Sequence, residues 1–120
     1  MLANPLIIKY FTDKARTLSL EFSQQQKIAF ELGLGDYFTE DVANDWLTDD
    51  IIILEQLKNE GIIDSRVIEI YSLIDKNFIN ASLYGGSFEE EIWTLVGLEN
   101  HPFWTQQRKL AKELLYLLQV

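Results

Sequence analysis

The residues best equipped for chemistry in this 120-residue chain are its nineteen acids and its one histidine, His101. The acids gather between Asp36 and Leu57. That stretch holds Asp36, Glu40, Asp41, Asp45, Asp49, Asp50 and Glu55 and contains no Lys, Arg or His. Carboxylates in such numbers can do acid–base work, hold a cation or meet a basic partner, and each use needs a further signature. A calcium loop turns on a glycine, whereas Asp36 to Asp50 has none and carries Phe38, Val42 and Trp46 among its acids. A di-iron bundle needs Glu-x-x-His pairs on two helices, and no such pair occurs. Paired carboxylates for glycoside cleavage are available in any acidic chain, but nothing singles out one pair here. His101 precedes Pro102, which biases its backbone away from the helix, and no nucleophile elbow accompanies it. It reads as a helix cap rather than a base. Gly85-Gly86 lacks the Lys-Ser/Thr of a phosphate-binding loop. With no cysteine there is no disulfide scaffold, iron–sulfur cluster or thiolate zinc site. The expectation is a protein without metal or cofactor, and not an enzyme.

The charge distribution narrows the partners. The net charge is −9, and residues 36–100 alone carry −12, fifteen acids against Lys58, Arg66 and Lys76. Residues 1–35 carry +1 and residues 101–120 carry +2. A field of this sign repels nucleic-acid backbones and anionic membranes and favours basic proteins. No run of about 18 apolar residues is present to cross a membrane. The start, MLANPLIIKYFTDK, has no basic region of the kind that precedes a cleaved signal. The absence of cysteine is compatible with a reducing cytoplasm, where the chain is expected.

These residues must be positioned by helices. Two prolines and six glycines leave little irregular chain, and 48% hydrophobic residues suffice for one core, so a single domain over 1–120 is expected. Asn4-Pro5 has the form of a helix start. Ile8, Phe11, Ala15, Leu18, Phe22, Ala29 and Leu32 then keep a 3-4 spacing broken only by Gln25. The spacing predicts one long N-terminal helix from Pro5 to about Leu34, stopped by Gly33 and Gly35. A second helix capped by Ser23, with Gln26 as capping-box partner, is the alternative. The run Gln24-Gln25-Gln26 reads as solvated surface. Thr39 and Thr48 read as the next two caps, followed by acids in the first turns where the helix dipole favours them. Ile51-Ile52-Ile53-Leu54 is β-branched enough for a strand, but it has no partner strand and runs on into a helical ending at Gly61. Asp64 or Ser65 begins a helix with a buried stripe of Val67, Ile70, Tyr71, Ile74, Phe78 and Ala81. Ser87 with Glu90 forms a capping box for a helix that Gly97 ends. Asn100 or His101 caps the last helix, with Pro102 at its first position and Phe103, Leu110, Leu114 and Leu117 inward. The class is all-α: a single-domain bundle of five to seven helices with a long N-terminal helix.

What remains for function is an interaction surface. On a continuous helix Asp41, Asp45 and Asp49 fall at i, i+4 and i+8, where like charges cost a few tenths of a kcal/mol each. A chain that keeps such a row has a use for it. Asp50 adjoins the row, and Glu89 and Glu90 form a second acidic patch. Tyr37, Trp46 and Tyr84 are the candidate aromatic anchors, residue types common in binding hot spots. For Trp46 a place in the core competes with that role.

Size, acidity, helix content and the absence of cysteine together resemble the immunity proteins of bacterial toxin systems, of the colicin and contact-dependent growth inhibition kinds. The segment SFEEEIWTLVGLENHPFWTQQRKLAKELL is similar in character to small proteins of that kind. The resemblance implies a cytoplasmic antidote that binds a cationic toxin domain, often a nuclease, and covers its basic active-site region. Asp41, Asp45, Asp49 and Asp50 would then pair with toxin Lys and Arg while an aromatic side chain fills a pocket. Electrostatic steering onto a positive cleft supports association rates on the order of 10⁸–10⁹ M⁻¹s⁻¹. The alternatives are an acidic adaptor or nucleic-acid mimic acting on a basic host protein, and a carboxylate-dependent enzyme.

Overall fold

In a computed structural model, residues 4–119 are described. They form seven α-helices and one 3-10 turn: α1 Asn4–Ser19, α2 Phe22–Glu31, α3 Tyr37–Asn44, α4 Asp50–Asn59, α5 Ser65–Ala81, the turn Glu90–Trp93, α6 Leu95–Asn100 and α7 Pro102–Gln119. No strand occurs among the described residues, and the Ile51–Leu54 run lies inside α4. The fold is all-α, as the periodicity predicts. The expected cap at Asn4 rests on a side chain outside the described set.

The long N-terminal helix does not form as expected. The chain bends after Ser19, and Glu21 in extended conformation starts α2 without a side-chain cap bond, so Ser23 is not the cap either. The cause is Gln25, which is fully buried rather than solvated. Its amide Nε2 donates to two carbonyls at the end of α1, Thr17 O (3.1 Å), which also has a long 3.4 Å bond from Leu20 N, and Leu18 O (3.2 Å). Its Oε1 accepts from Arg108 Nε (3.1 Å) and Nη2 (2.8 Å) on α7. Arg108 also donates to Leu98 O. One glutamine thus closes α1 and ties the bend to α7.

Glycines close α2 and α4 as their positions predict. Gly33 (φ 68°) and Gly61 (φ 75°) take the left-handed conformation. The N–H groups of Leu34 and Ile62 then reach back to Ala29 O and Leu57 O at 3.0 and 2.9 Å. Asp64 caps α5, accepting from Arg66 N at 2.8 Å. His101 caps α7 through Nδ1, which accepts from Phe103 N at 3.0 Å.

Three other expected caps are different in the structure. Thr39 lies inside α3, buried, donating to Asp36 O. Thr48 donates its hydroxyl to Asp75 Oδ2 (2.8 Å) instead of capping α4. Ser87 starts no helix: its N–H bonds to Asn80 O, and Glu90–Trp93 forms only a 3-10 turn. The cap of α6 is Thr94, whose hydroxyl accepts from Gly97 N. The Leu95 N–H is met by Asp36 Oδ1 at 2.7 Å, from far along the chain.

The helices assemble around α7, which packs along α1 on one side and α5 on the other, with α4 against α5. Trp104, Gln107, Leu110, Ala111, Leu114 and Leu118 give α7 its buried stripe at helical spacing. Leu110 and Leu114 are buried as expected, but the stripe is centred on Trp104, Gln107 and Ala111 as well, and Phe103 and Leu117 are only partly buried. Phe11, Ala15 and Leu18 face it from α1, and the expected stripe of α5 is buried as predicted.

Gly97 does not end its helix; it sits inside α6 because the backbone there touches its neighbour. A Cβ at Gly97 would run into the Glu91 carbonyl oxygen. Gly97→Ala is therefore expected to lower stability by about 1–3 kcal/mol, as overpacking against backbone does. Urea unfolding measures this, and an unchanged midpoint would mean that the turn and α6 can part freely.

Candidate partner-binding surface

Helix α3 ends at Asn44 and α4 begins at Asp50, so the expected continuous acidic row does not exist as one helix face. Asp41 lies in α3, Asp45 follows its last residue, and Asp49 precedes α4. All three remain exposed on one short stretch of chain. Asp45 feels the crowding: partial burial and then the charge of Asp41 raise its carboxyl above the ordinary range, against the lowering effect of Lys14.

Asp50 does not belong to this surface. It is 5% exposed and meets the ammonium of Lys14, itself 6% exposed, at 2.8 Å. The same oxygen, Oδ2, accepts from Tyr10 OH (2.8 Å) and lies 3.0 Å from Tyr71 OH. Burial, and next the charge of Asp50, push the Tyr71 hydroxyl up, which keeps its proton in the network. Lys14 also donates to Asp45 O, and its Nζ stands 4.0 Å from the centre of the Tyr10 ring. Asp50 is thus a buried counter-ion that anchors the acidic stretch to α1.

Trp46 is likewise not a free anchor. It is buried, with its ring centre 5.0 Å from that of Tyr71. Tyr37 and Tyr84 are exposed, Tyr84 almost wholly. Glu89 and Glu90 are exposed, and His101 Nε2 lies 3.1 Å from Glu89 Oε2.

Beside the acidic stretch lies a groove of about 700 Å³ between α3, the C-terminal half of α5 and the segment 83–94. Its apolar lining includes Trp46, Leu47, Phe78, Ile79, Leu83 and Phe88. Leu47, Ile79 and Leu83 are at least half exposed. The charged residues of the lining are Glu40, Asp75 and Glu90, and no Lys, Arg or His lines it.

Two polar groups of the wall are incompletely satisfied. Asp75 is buried and accepts the Thr48 hydroxyl on Oδ2, while Oδ1 has no hydrogen bond to the described residues and keeps contact with solvent. Among the described residues, Trp46 Nε1 is the buried side-chain polar atom without a partner. Neither Asp75 nor Lys14 stands out as a site residue in the sequence. The signal is positional: each interrupts a helical stripe, Lys14 between Phe11 and Ala15, Asp75 between Tyr71 and Phe78.

Among the described residues no group of His, Asp and Glu side chains is placed to hold a metal ion. No described helix is long and apolar enough to cross a membrane. No family model, curated protein or solved structure matches the chain.

Proposed function

We propose that the chain is a non-catalytic antidote of the immunity type: it binds a cationic bacterial toxin domain, of the nuclease class, and covers its basic active-site region in the cytoplasm. The observation that carries the reading is the uncompensated acidity of the exposed stretch. Asp41, Asp45 and Asp49 face water together, and the nearby cation Lys14 is already committed to buried Asp50. Partial burial, and next the charge of Asp41, raise the Asp45 carboxyl, and a cation brought to it would favour its charged form. Lys and Arg side chains of a partner supply that cation, and a nuclease cleft carries them because it must bind phosphates. Tyr37 and Tyr84 offer exposed rings near helix ends, where their two torsions cost little to immobilise.

The reading predicts a large secreted-toxin gene directly upstream of this chain's gene, and the test begins with the catalytic domain that such a gene encodes. Expressed alone it should arrest growth, and co-expression of this chain should restore it through a 1:1 complex. The association rate should fall steeply with salt. Reversing Asp41, Asp45 and Asp49 to Lys should abolish protection while the helical circular dichroism persists. The pH dependence has a definite sign. A cation docked on Asp45 lowers the carboxyl pKa that the free chain holds raised, so a proton leaves on binding. Affinity therefore weakens as the pH falls through the raised value that Asp45 holds in the free chain. Growth arrest that this chain does not relieve, or protection untouched by the triple reversal, counts against the reading.

A further inference from the structure

Resting on the reading that the partner is a basic protein, we infer that the groove beside the acidic stretch receives one amphipathic cationic segment of that partner. A large apolar side chain of the segment lies against Ile79, Leu83 and Phe88, and a Lys or Arg of the same segment reaches Asp75.

The chemistry of the walls selects this occupant. A purely apolar ligand would leave Asp75 Oδ1 desolvated and unpaired, which is costly for a carboxylate. A purely polar cation would leave Leu47, Ile79 and Leu83 in water and gain nothing from them. An anionic ligand, whether nucleic acid or acidic lipid, meets Glu40, Asp75 and Glu90 with no basic residue in the lining to offset them. A second copy of this chain brings a net charge of −9 against the same three carboxylates. A segment carrying both a bulky apolar group and a cation satisfies the apolar wall and Asp75 together. The groove's size, about 700 Å³, is in the range that accommodates several side chains. The exposed acids Asp41, Asp45 and Asp49 then steer the partner's basic surface, while the groove holds it once docked.

A synthetic amphipathic helix of Leu and Lys serves as the probe, followed by calorimetry and by the fluorescence of the groove residues Trp46 and Trp93. Two control peptides replace Leu by Ser at the same charge, or Lys by Glu at the same apolar content. The Leu/Lys peptide should bind at least about tenfold more tightly than either control. Leu83→Arg, a change at a largely exposed position, should weaken it by about tenfold or more. Ile52→Arg, the same exchange at an exposed position of α4 outside the groove, should leave it unchanged. Asp75→Asn, which retains an oxygen for the Thr48 hydroxyl, should weaken the Leu/Lys peptide and not the Leu/Glu peptide.

Equal binding of the Leu/Lys and Ser/Lys peptides would overturn the inference, as would wild-type binding by Leu83→Arg. Dimerisation of the free chain that Leu83→Arg abolishes would give the groove to a second copy instead. The two readings fail separately. Peptide selectivity without protection from the upstream toxin removes the antidote and keeps the groove. Protection that Leu83→Arg leaves intact removes the groove and keeps the antidote.

Discussion

Asp50→Ala is expected to cost about 3–5 kcal/mol of folding stability, a large share of the roughly 5–15 kcal/mol available to a domain of this size. The substitution leaves the Lys14 ammonium almost fully buried with no counter-charge, and it removes the acceptor shared by Tyr10 and Tyr71. Lys14 then keeps the Asp45 carbonyl and the surrounding aromatic rings, of which Tyr10 is the nearest. Lys14→Met should cost less, because Asp50 retains the Tyr10 hydroxyl as a donor and has the Tyr71 hydroxyl, shared with Leu47 O, within reach. The double replacement Lys14→Met with Asp50→Leu should recover most of the loss, since an apolar pair of similar volume has no desolvation to offset. Urea unfolding of the three variants checks the ordering. An Asp50→Ala protein within about 1 kcal/mol of wild type would show that water reaches Lys14 and that the pair does not hold α1 to the acidic stretch.

The same pair explains why part of the candidate surface was legible in the sequence and part was not. Caps and stops are local: Gly33 and Gly61 turn the chain by their own conformational freedom, and Asp64 and His101 accept from N–H groups two residues on. Such features can be read from neighbouring letters. The exposure of Asp41, Asp45 and Asp49 also follows from local polarity.

Burial of a charged or amide side chain depends on a partner brought from elsewhere. Asp50 meets Lys14 and Tyr71, Thr48 meets Asp75, and Asn77 meets Gln107. Local spacing makes Asp50 a helix-start acid, which it is, and Thr48 a cap, which it is not; the long-range partners bury Asp50 against Lys14 and turn Thr48 to Asp75. The Ser87–Glu90 pattern fails for a related reason. The chain there is held by Asn80 O and by the indole of Trp93 bonded to Ala81 O, which leaves room for a 3-10 turn alone. The groove is invisible to any single segment, since α3, α5 and residues 83–94 each supply only one wall.

The substitution that tests the bend between α1 and α2 is Gln25→Leu, expected to cost about 3–5 kcal/mol because each stranded buried polar group costs about 1–3 kcal/mol. Leucine fills a similar volume, so the loss reports hydrogen bonding rather than a cavity. Leu18 O loses its donor, Thr17 O is left with only the long 3.4 Å bond from Leu20 N, and Arg108 loses the oxygen that meets it through two of its nitrogens. Arg108 has little slack for this, since burial already lowers its pKa from the usual arginine value, and its remaining acceptor is Leu98 O. Gln25→Glu separates the two halves of the role. The carboxylate keeps a partner for Arg108 but turns an oxygen onto the two α1 carbonyls, so at neutral pH it should remain clearly destabilised. If Gln25→Glu unfolded at the wild-type urea midpoint, the contact with Arg108 alone would hold the bend. If Gln25→Leu did so, α1 and α2 would be set by apolar packing and the buried amide would be incidental. The expected result for both is a lower midpoint with helix content retained, because the bend joins helices that each pack on the shared core.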